Sequence, residues 1–253
     1  MILRFPHFDS IPWITHGFTS RQDGFSIPPF HSFNMGLHVG DQVDHVMQNR
    51  NKFAQQLQIQ LRSLYYANQI HSDKIFIVTE PIQTHPHPSA DALITDLPGT
   101  AVAVMSADCV PILLADTQNR VVAAVHAGWK GSVNAILLKT LLKMQKLWGS
   151  KPSDIMAGIG PCISYSHYEV GHNVIEIVTN VFPQSESLLS PSTNNKMFFN
   201  LTKANMYWLH LFGMHDSQIA ISNYCTYSDS EKWFSARRNP ITGRMASAIG
   251  IRP

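Results

Sequence analysis

SADCVPILLADTQNRVVAAVHAGWKG, residues 106–131, contains two apolar runs separated by a short polar break. This pattern predicts two antiparallel strands joined by a tight turn. With Thr117 and Gln118 at the centre of a two-residue turn, Cys109 lies directly opposite His126. Directly paired side chains on one face of a sheet have Cβ atoms about 4.5–5.5 Å apart. The hairpin therefore predicts that a thiol and an imidazole meet at its open end.

A third potential ligand follows a separate apolar segment. His71 comes directly after LYYANQI, at 64–70. A His/Cys/His set with one open coordination position is typical of catalytic zinc, whereas structural zinc usually has four protein ligands. Zinc lowers the pKa of a water in the open position to about 7, which makes hydroxide available at neutral pH. We predict that Asp108 orients these ligands, and that Cys162 and Cys225 are packed thiols.

Other interpretations of the same residues stay open. Cys109 is a nucleophile and His126 its base in one hypothesis, as in metal-free cysteine hydrolases. In another, Cys109 is a small buried hydrophobe and His126 a hydrogen-bonded histidine of the core. A non-enzymatic binding module with a structural metal is a further hypothesis. Residue spacing alone does not separate them.

Composition restricts the class of protein. The chain has 253 residues, 44% of them hydrophobic and 14% charged, which suffices for a sizeable core. A net charge of +2, with dispersed basic residues, does not indicate a nucleic-acid partner. The sequence has no apolar run of transmembrane length, its three cysteines are widely spaced, and no signal peptide is evident. We expect a cytoplasmic protein with free thiols and neither a membrane nor a nucleic-acid partner.

Hydrophobic periodicity predicts a mixture of strands and helices in one domain over residues 1–253. Because these elements do not alternate regularly, the pattern favours an α+β fold over a doubly wound sheet. The predicted helices are 40–59, with Asp41 as N-cap, 132–149, ended by Gly149, 171–181 and 201–212. The predicted strands are 64–70, 74–78, 100–106, 111–115, 120–127, 154–160, 218–222 and 245–251, and the predicted loops include 83–92 and 188–196.

Several segments together resemble the laccase-domain family, also described as multicopper polyphenol oxidases or as purine nucleoside phosphorylases of that fold. The resemblance implies a single-domain α/β/β/α layered sandwich with mixed sheets. It also implies that His71, Cys109 and His126 are both metal ligands and catalytic residues. The segments that carry the resemblance are HGFTSRQDGFS (16–26), FNMGLHVGD (33–41), QIHSD (69–73), SADCVPILLAD (106–116), HAGWKG (126–131), GPCISYSHYEV (160–170) and TGRMASAIGI (242–251).

The resemblance further implies an enzyme of purine nucleosides. Its transferase reaction is phosphorolysis of adenosine or inosine to free base and ribose 1-phosphate. Its hydrolase reaction is deamination of adenosine through a water activated by zinc. The substrates are then a nucleoside and phosphate, for which we predict contacts at Asn34, Lys130 and Arg237. Arg21 is a further phosphate candidate, because charge-assisted hydrogen bonds bind anions well.

Two other activities remain as alternatives. Copper-dependent polyphenol oxidation would use the same thiolate and imidazoles, but multicopper catalysis needs more ligands than one Cys and two His. A metal-free Cys/His hydrolase would act on peptidoglycan precursors. Zinc is therefore the expected cofactor and copper the second candidate, and the metal content discriminates the hydrolase from the nucleoside enzyme.

Overall fold

Strands and helices fill most of the chain. The computed structural model describes residues 1–82, 87–192 and 196–253. The strands are β1 Ile2–Leu3, β2 Ile14–Thr19, β3 Leu64–Tyr66, β4 Ile75–Ile77, β5 Ala92–Thr95, β6 Ala101–Ser106, β7 Val110–Asp116, β8 Val121–Ala127, β9 Ile155–Ile159, β10 Glu169–Val170, β11 Leu189–Pro191, β12 Met197–Phe199, β13 Ile219–Ile221 and β14 Met245–Ile251. The helices are α1 Pro6–Asp9, α2 Val43–Gln56, α3 Trp129–Val133, α4 Ile136–Trp148, α5 His172–Val181 and α6 Leu201–Phe212.

Two large sheets and one small sheet are formed, and both large sheets are mixed. The five-stranded sheet has the order β1-β2-β14-β6-β3, in which β3 pairs with β6 in parallel. The six-stranded sheet has the order β13-β9-β7-β8-β5-β4, with parallel pairs at β13–β9 and β4–β5. The small sheet is antiparallel and has the order β10-β12-β11.

The two large sheets pack face to face. Val104 of β6 and Ile249 of β14, from the five-stranded sheet, lie in one apolar cluster with Leu113 of β7 and Val122 of β8. Every residue of β6, β7, β8 and β14 is buried. This explains why their sequences are continuously apolar rather than alternating.

Helices cover the outer face of each large sheet. Phe53 and Leu57, on and just after α2, pack on Ala103 of the five-stranded sheet. Helices α4, α5 and α6 cover the six-stranded sheet, for example through Leu141 and Leu209. The layers therefore follow the order α/β/β/α, and the predicted α+β sandwich with mixed sheets is confirmed. No helix among the described residues has the length and hydropathy needed to cross a bilayer.

The hairpin between β7 and β8 has a different register from the predicted one. Pro111, and not Cys109, lies opposite His126, and Asp116 lies opposite Val121. The turn is longer than two residues because the Asp116 carboxylate accepts hydrogen bonds from the backbone N–H groups of Gln118 and Asn119, each at 2.9 Å. The partner of each residue moves by two positions, so Cys109, which directly precedes β7, lies diagonal to His126 rather than opposite it.

The predicted helix at 132–149 is two helices. Ala135, between α3 and α4, has a left-handed backbone with φ 55°. The chain changes direction there without a glycine or proline that would mark the break in the sequence. Gly149 ends α4 with φ 72°, as predicted.

Some other predicted boundaries were wrong. Asp41 is not the N-cap of α2, because Gln42 takes that position and Asp41 accepts a hydrogen bond from Asn34 instead. The strand predicted at 64–70 ends at Tyr66. Within the predicted loops, β5 begins at residue 92 and β11 lies at 189–191, while 83–86 and 193–195 lie outside the described residues. The helix predicted at 201–212 is confirmed as α6.

Candidate metal centre

Cys109 lies where the chain passes from one large sheet to the other. Residues 107–109 connect β6 of the five-stranded sheet to β7 of the six-stranded sheet. Asp108 has a φ of 92°, and its carboxylate accepts hydrogen bonds from the Thr226 hydroxyl and the Arg237 backbone N–H, each at 2.7 Å. Asp108 therefore fixes the segment that carries Cys109. Both hydrogen bonds of its carboxylate are to Thr226 and Arg237.

Asp91 positions the other two members of the site. Its side chain is fully buried at the start of β5, and its Oδ1 lies 2.9 Å from Nδ1 of His126. It also accepts hydrogen bonds from the backbone N–H groups of Ile70, His71 and Ser72, at 3.3, 3.0 and 2.7 Å. These three bonds stabilise the left-handed backbone of His71, which has φ 55°. The bond to His126 leaves Nε2 of that ring for a ligand.

The donor atoms of His71, Cys109 and His126 converge. They all lie within 4.8 Å of one another, and the two imidazole rings are 4.9 Å apart at an angle of 77°. Gly128 leaves the space for this, because a Cβ there would lie 3.0 Å from Sγ of Cys109 and 3.1 Å from Nδ1 of His71. One thiol and two imidazoles are a donor set that zinc accepts. The residues therefore fit a metal ion with a coordination position open to solvent or substrate.

Asp91 interacts electrostatically with His71 and His126, and His126 in turn interacts with Cys109. Burial opposes ionisation of Asp91, but hydrogen bonds from His126 and Ser72 outweigh it and lower the pKa to about 2. Burial also opposes the charged form of His126, but Cys109 and Asp91 raise its pKa to about 9. Burial and the neighbouring His126 lower the pKa of His71. An ionised Asp91 thus keeps a proton on Nδ1 of His126.

The three residues line a cavity of about 570 Å³. This volume is in the range of small-molecule sites. Other side chains on its wall are His38, Ser106, Tyr168, Arg237 and Arg244. The cavity wall thus contains both the donor cluster and two arginine side chains.

Of two predicted substrate contacts, Arg237 lines this cavity and Lys130 does not. Arg237 lines it, with the guanidinium 5.1 Å from the centre of the Tyr168 ring and a hydrogen bond of 2.9 Å to the carbonyl of Glu169. Lys130 is exposed on α3, with Nζ 5.7 Å from the Trp129 ring, and is not among the residues lining the cavity. Its charge nevertheless contributes to the lowered pKa of His71, after burial and His126 and ahead of Arg244.

Asn34 and Arg21 are placed away from the cavity. Asn34 is fully buried and donates hydrogen bonds to the Gly36 carbonyl and to Asp41. Its Oδ1 accepts from the backbone N–H groups of Gly36 and Arg244, each at 2.9 Å. This position suits a residue that holds Arg244 rather than one that touches a ligand. Arg21 donates to backbone carbonyls in two surface loops and does not line the cavity.

Sequence analysis did not single out Asp91, Gly128 or Arg244. A signal for Asp91 exists, because the triplet SAD occurs twice, at 89–91 and 106–108, each time just before a buried strand. Gly128 and Arg244 lie in segments that carry the family resemblance. Their roles depend on contacts with residues distant in the chain, which spacing does not indicate.

Cys162 and Cys225 are unpaired thiols outside the donor cluster. Burial raises the pKa of Cys162 to about 12, and its sulfur lies 3.3 Å from the Thr202 hydroxyl. It is therefore a packed neutral thiol at neutral pH.

The chain is thus a four-layer α+β sandwich that has, at the wall of a cavity, a His/Cys/His cluster able to hold a metal ion. The sequence matches the family described as multi-copper polyphenol oxidoreductase laccase over residues 15–252, and the chain belongs to that family. This confirms the resemblance noted from the sequence segments.

Relatives are similar over almost their whole length. A purine nucleoside phosphorylase of Haemophilus influenzae is 35% identical over 243 residues, covering 95% of this chain and 96% of the relative. One of Corynebacterium glutamicum is 37% identical over 235 residues, covering 92% and 93%. The crystal structure of the Bacillus licheniformis hypothetical protein YfiH has a TM-score of 0.94 at 34% identity, and the match covers 99% of this chain and 96% of that one.

Proposed function

We propose that this protein is a metal-dependent purine nucleoside phosphorylase that also deaminates adenosine, acting in the cytoplasm. Adenosine, inosine and related nucleosides would react with phosphate to give the free base and ribose 1-phosphate. The observation that carries the proposal is the convergence of His71, Cys109 and His126 on a cavity of about 570 Å³. The names of the full-length relatives support the choice of nucleosides as substrates.

Zinc is the proposed cofactor and copper the alternative. His71, Cys109 and His126 would hold the ion, with Asp91 fixing the tautomer of His126. A bound zinc ion acts as a Lewis acid that activates water or polarises a substrate atom. Within the described ranges, these residues are the one group of three potential ligands found. A single such group gives little support to multicopper polyphenol oxidation.

The proposed phosphorolysis is a substitution at the ribose. An oxygen of hydrogen phosphate bonds to C1′ while the bond from C1′ to N9 breaks. The purine leaves with the bonding electrons and takes up the proton that the phosphate gives up. The protein must hold phosphate and ribose side by side and place positive charge near the phosphate. Arg237, on the cavity wall, is proposed as a direct phosphate contact. Lys130 is proposed to act from outside the wall, and Asn34 through its bond to Arg244.

A paired assay tests the function. Purified wild type and Cys109→Ala are analysed for metal by mass spectrometry and incubated with adenosine and with inosine, with and without phosphate. We expect about one zinc per chain in the wild type, free base formation that needs phosphate, and inosine formation from adenosine. Cys109→Ala should lose both zinc and turnover. Cys225→Ala is the matched control and should keep them; a metal-free wild type that ignores both nucleosides contradicts the proposal.

A second candidate function is favoured by the alignment of Cys109, His126 and Asp91. This order matches a nucleophile, its base and a residue that orients the base. In a metal-free hydrolase the Cys109 thiolate would attack an amide carbonyl in a peptidoglycan precursor, and the C–N bond would break as the amine left with a proton from His126. Water would then hydrolyse the thioester and release the acid and the free thiol. Zinc bound at Cys109 blocks this nucleophile, so the metal content of the active protein separates the two candidates.

A further inference from the structure

Arg244 is held by a segment from the other end of the chain. Its backbone N–H donates to Oδ1 of Asn34, and its carbonyl accepts from the backbone N–H of Met35, each at 2.9 Å. Gly36 lies against its side chain, because a Cβ at Gly36 would be 3.1 Å from Cγ of Arg244. Residues 34–36, within the FNMGLHVGD segment, therefore hold the backbone and the side chain of Arg244 in place.

The Arg244 guanidinium has unused hydrogen-bonding capacity. Nη1 donates to the carbonyls of Thr242 and Gly243 at 3.0 Å, and Nε and Nη2 have no acceptor among the described residues. No ion pair in the described part of the chain joins Arg244 or Arg237 to a carboxylate. Burial lowers the pKa of Arg244, although Cys109 and Asp108 act in the opposite direction. A partly buried cation that forms no ion pair favours an anionic ligand.

Ser106 supplies an independent observation at the same wall. Its side chain is 3% exposed, and its Oγ has no hydrogen-bond partner in the described ranges. Ser106 pairs with Met245 across β6 and β14, which places it beside Arg244 at the end of the sheet, and both line the cavity. A buried hydroxyl without a partner costs free energy, and a bound ligand that accepts its hydrogen bond removes that cost.

We propose that Arg244, Ser106 and Arg237 form a phosphate subsite in the cavity, with Arg244 as its principal ligand. A guanidinium donates two parallel hydrogen bonds to a phosphate, which a lysine does not. Ser106 adds a hydroxyl donor, and Arg237 adds a second positive charge. The inference rests on the proposed function, whose phosphate it locates. Free phosphate and the phosphate group of a nucleoside monophosphate offer the same chemistry.

Steady-state kinetics of the zinc-loaded enzyme test the subsite. Arg244→Gln should raise the KM for phosphate by about 10- to 100-fold, the range expected for lost charge-assisted hydrogen bonds. The KM for inosine and the zinc content should stay close to wild type. Arg252→Gln is the matched control, because Arg252 bonds to the Ile14 carbonyl and Gln58, away from the cavity. An unchanged KM for phosphate in Arg244→Gln, with phosphorolysis intact, overturns the subsite and leaves the function standing.

Direct binding keeps the test independent of turnover. Inorganic phosphate is titrated calorimetrically into zinc-loaded wild type, Arg244→Gln, Arg244→Lys and Ser106→Ala. We expect binding to wild type, a smaller loss in Arg244→Lys and Ser106→Ala, and the largest loss in Arg244→Gln. These two milder variants report on the subsite if Arg244→Gln does not fold. Phosphate binding that depends on Arg244 without any phosphorolysis supports the subsite and contradicts the function; no phosphate binding to wild type overturns the subsite.

A competition experiment separates the two sources of the phosphate group. Inosine 5′-monophosphate is added to the phosphorolysis reaction at several phosphate concentrations. Inhibition that phosphate relieves, and that Arg244→Gln weakens, indicates that the nucleotide phosphate occupies the same subsite. Absence of inhibition, together with the raised KM for phosphate in Arg244→Gln, assigns the subsite to free phosphate.

Discussion

At position 128, a methyl group would lie against two of the three candidate metal ligands, Cys109 and His71. Gly128 has φ −71° and ψ 178°, which any residue adopts, so the requirement for glycine there is one of space and not of backbone conformation. The nearest atoms to a Cβ are Sγ of Cys109 and Nδ1 of His71. Because residue 128 has no side chain, the space beside Cys109 and His71 stays free for a metal ion.

Gly128→Ala is expected to lose the metal and keep the fold. The added methyl group forces Cys109 and His71 apart. Because zinc affinity depends on ligand geometry, this displacement lowers the affinity. Gly171→Ala is the matched control, because Gly171 also precedes a helix with φ −86° and ψ 174° but meets its nearest atom at 3.4 Å. Metal analysis by mass spectrometry and thermal unfolding check the prediction. Full zinc occupancy in Gly128→Ala would contradict it.

Asp91→Asn is expected to weaken metal binding by about 10- to 100-fold, as changes to the hydrogen-bond partner of a metal ligand do. The amide removes the charge beside His126 and places a donor near backbone N–H groups. Asp116→Asn is the control, because Asp116 is equally buried and also accepts backbone hydrogen bonds, but in the β7–β8 turn. Competition with a chelator measures zinc affinity. Equal zinc affinities in the two variants would show that Asp91 acts on stability alone.

The residue types and their positions in the sequence predicted the donor cluster correctly, whereas the predicted strand register of the β7–β8 hairpin was wrong. Cys109 directly precedes β7 and His126 lies near the end of β8, and the two stay close despite the new register because the shift is by two positions. The shift itself comes from the Asp116 side chain in the turn, which the strand pattern does not reveal. Arg244 was missed because Asn34, which accepts the hydrogen bond of its backbone N–H, is 210 residues away in the sequence.

At the scale of elements, the break between α3 and α4 shows where periodicity is insufficient. The apolar residues continue through the break, so the pattern resembles one helix. The interruption is set by one left-handed residue, Ala135, which separates α3 from α4. Helix α6 has no such conflict, and its bounds follow from the sequence.

Ala135→Gly is expected to raise the free energy of unfolding by about 0.5–1 kcal/mol. Glycine removes the penalty of about 1–2 kcal/mol for a left-handed L-residue, and part of this gain is offset by its greater freedom in the unfolded chain. Ala204→Gly, inside α6, should instead lower the free energy by about 1 kcal/mol or more. Urea unfolding of both variants at unchanged m-value checks this. A destabilised Ala135→Gly would show that the turn is not strained.

At the scale of the whole molecule, His16 makes stability depend on pH. Its side chain is buried in β2, and Nε2 accepts the backbone N–H of Phe5 at 2.8 Å. Burial, with the nearby charges of Arg4 and His7, lowers its pKa to about 3. In the unfolded chain the pKa is about 6.5. Between these values the unfolded state binds a proton that the folded state does not, so stability falls as the pH falls.

His16→Gln should flatten this dependence. Glutamine keeps an acceptor for Phe5 but does not titrate, so the loss of roughly 1.4 kcal/mol per pH unit from this group between about pH 6 and 4 disappears. His172→Gln removes an exposed histidine and serves as the control. Unfolding free energies measured in urea across that range compare the slopes. An unchanged slope in His16→Gln would mean that another group controls acid stability.

The position of β14 at the centre of its sheet has a consequence during synthesis on the ribosome. Residues 245–251 pair with β2 on one side and β6 on the other, so the five-stranded sheet stays open until this strand has left the exit tunnel. His71, Cys109 and His126 have by then long been translated, yet Arg244 emerges just before β14. A nascent chain halted at Gly243 would therefore expose the apolar edges of β2 and β6 and depend on chaperones, rather than persist as a smaller folded protein.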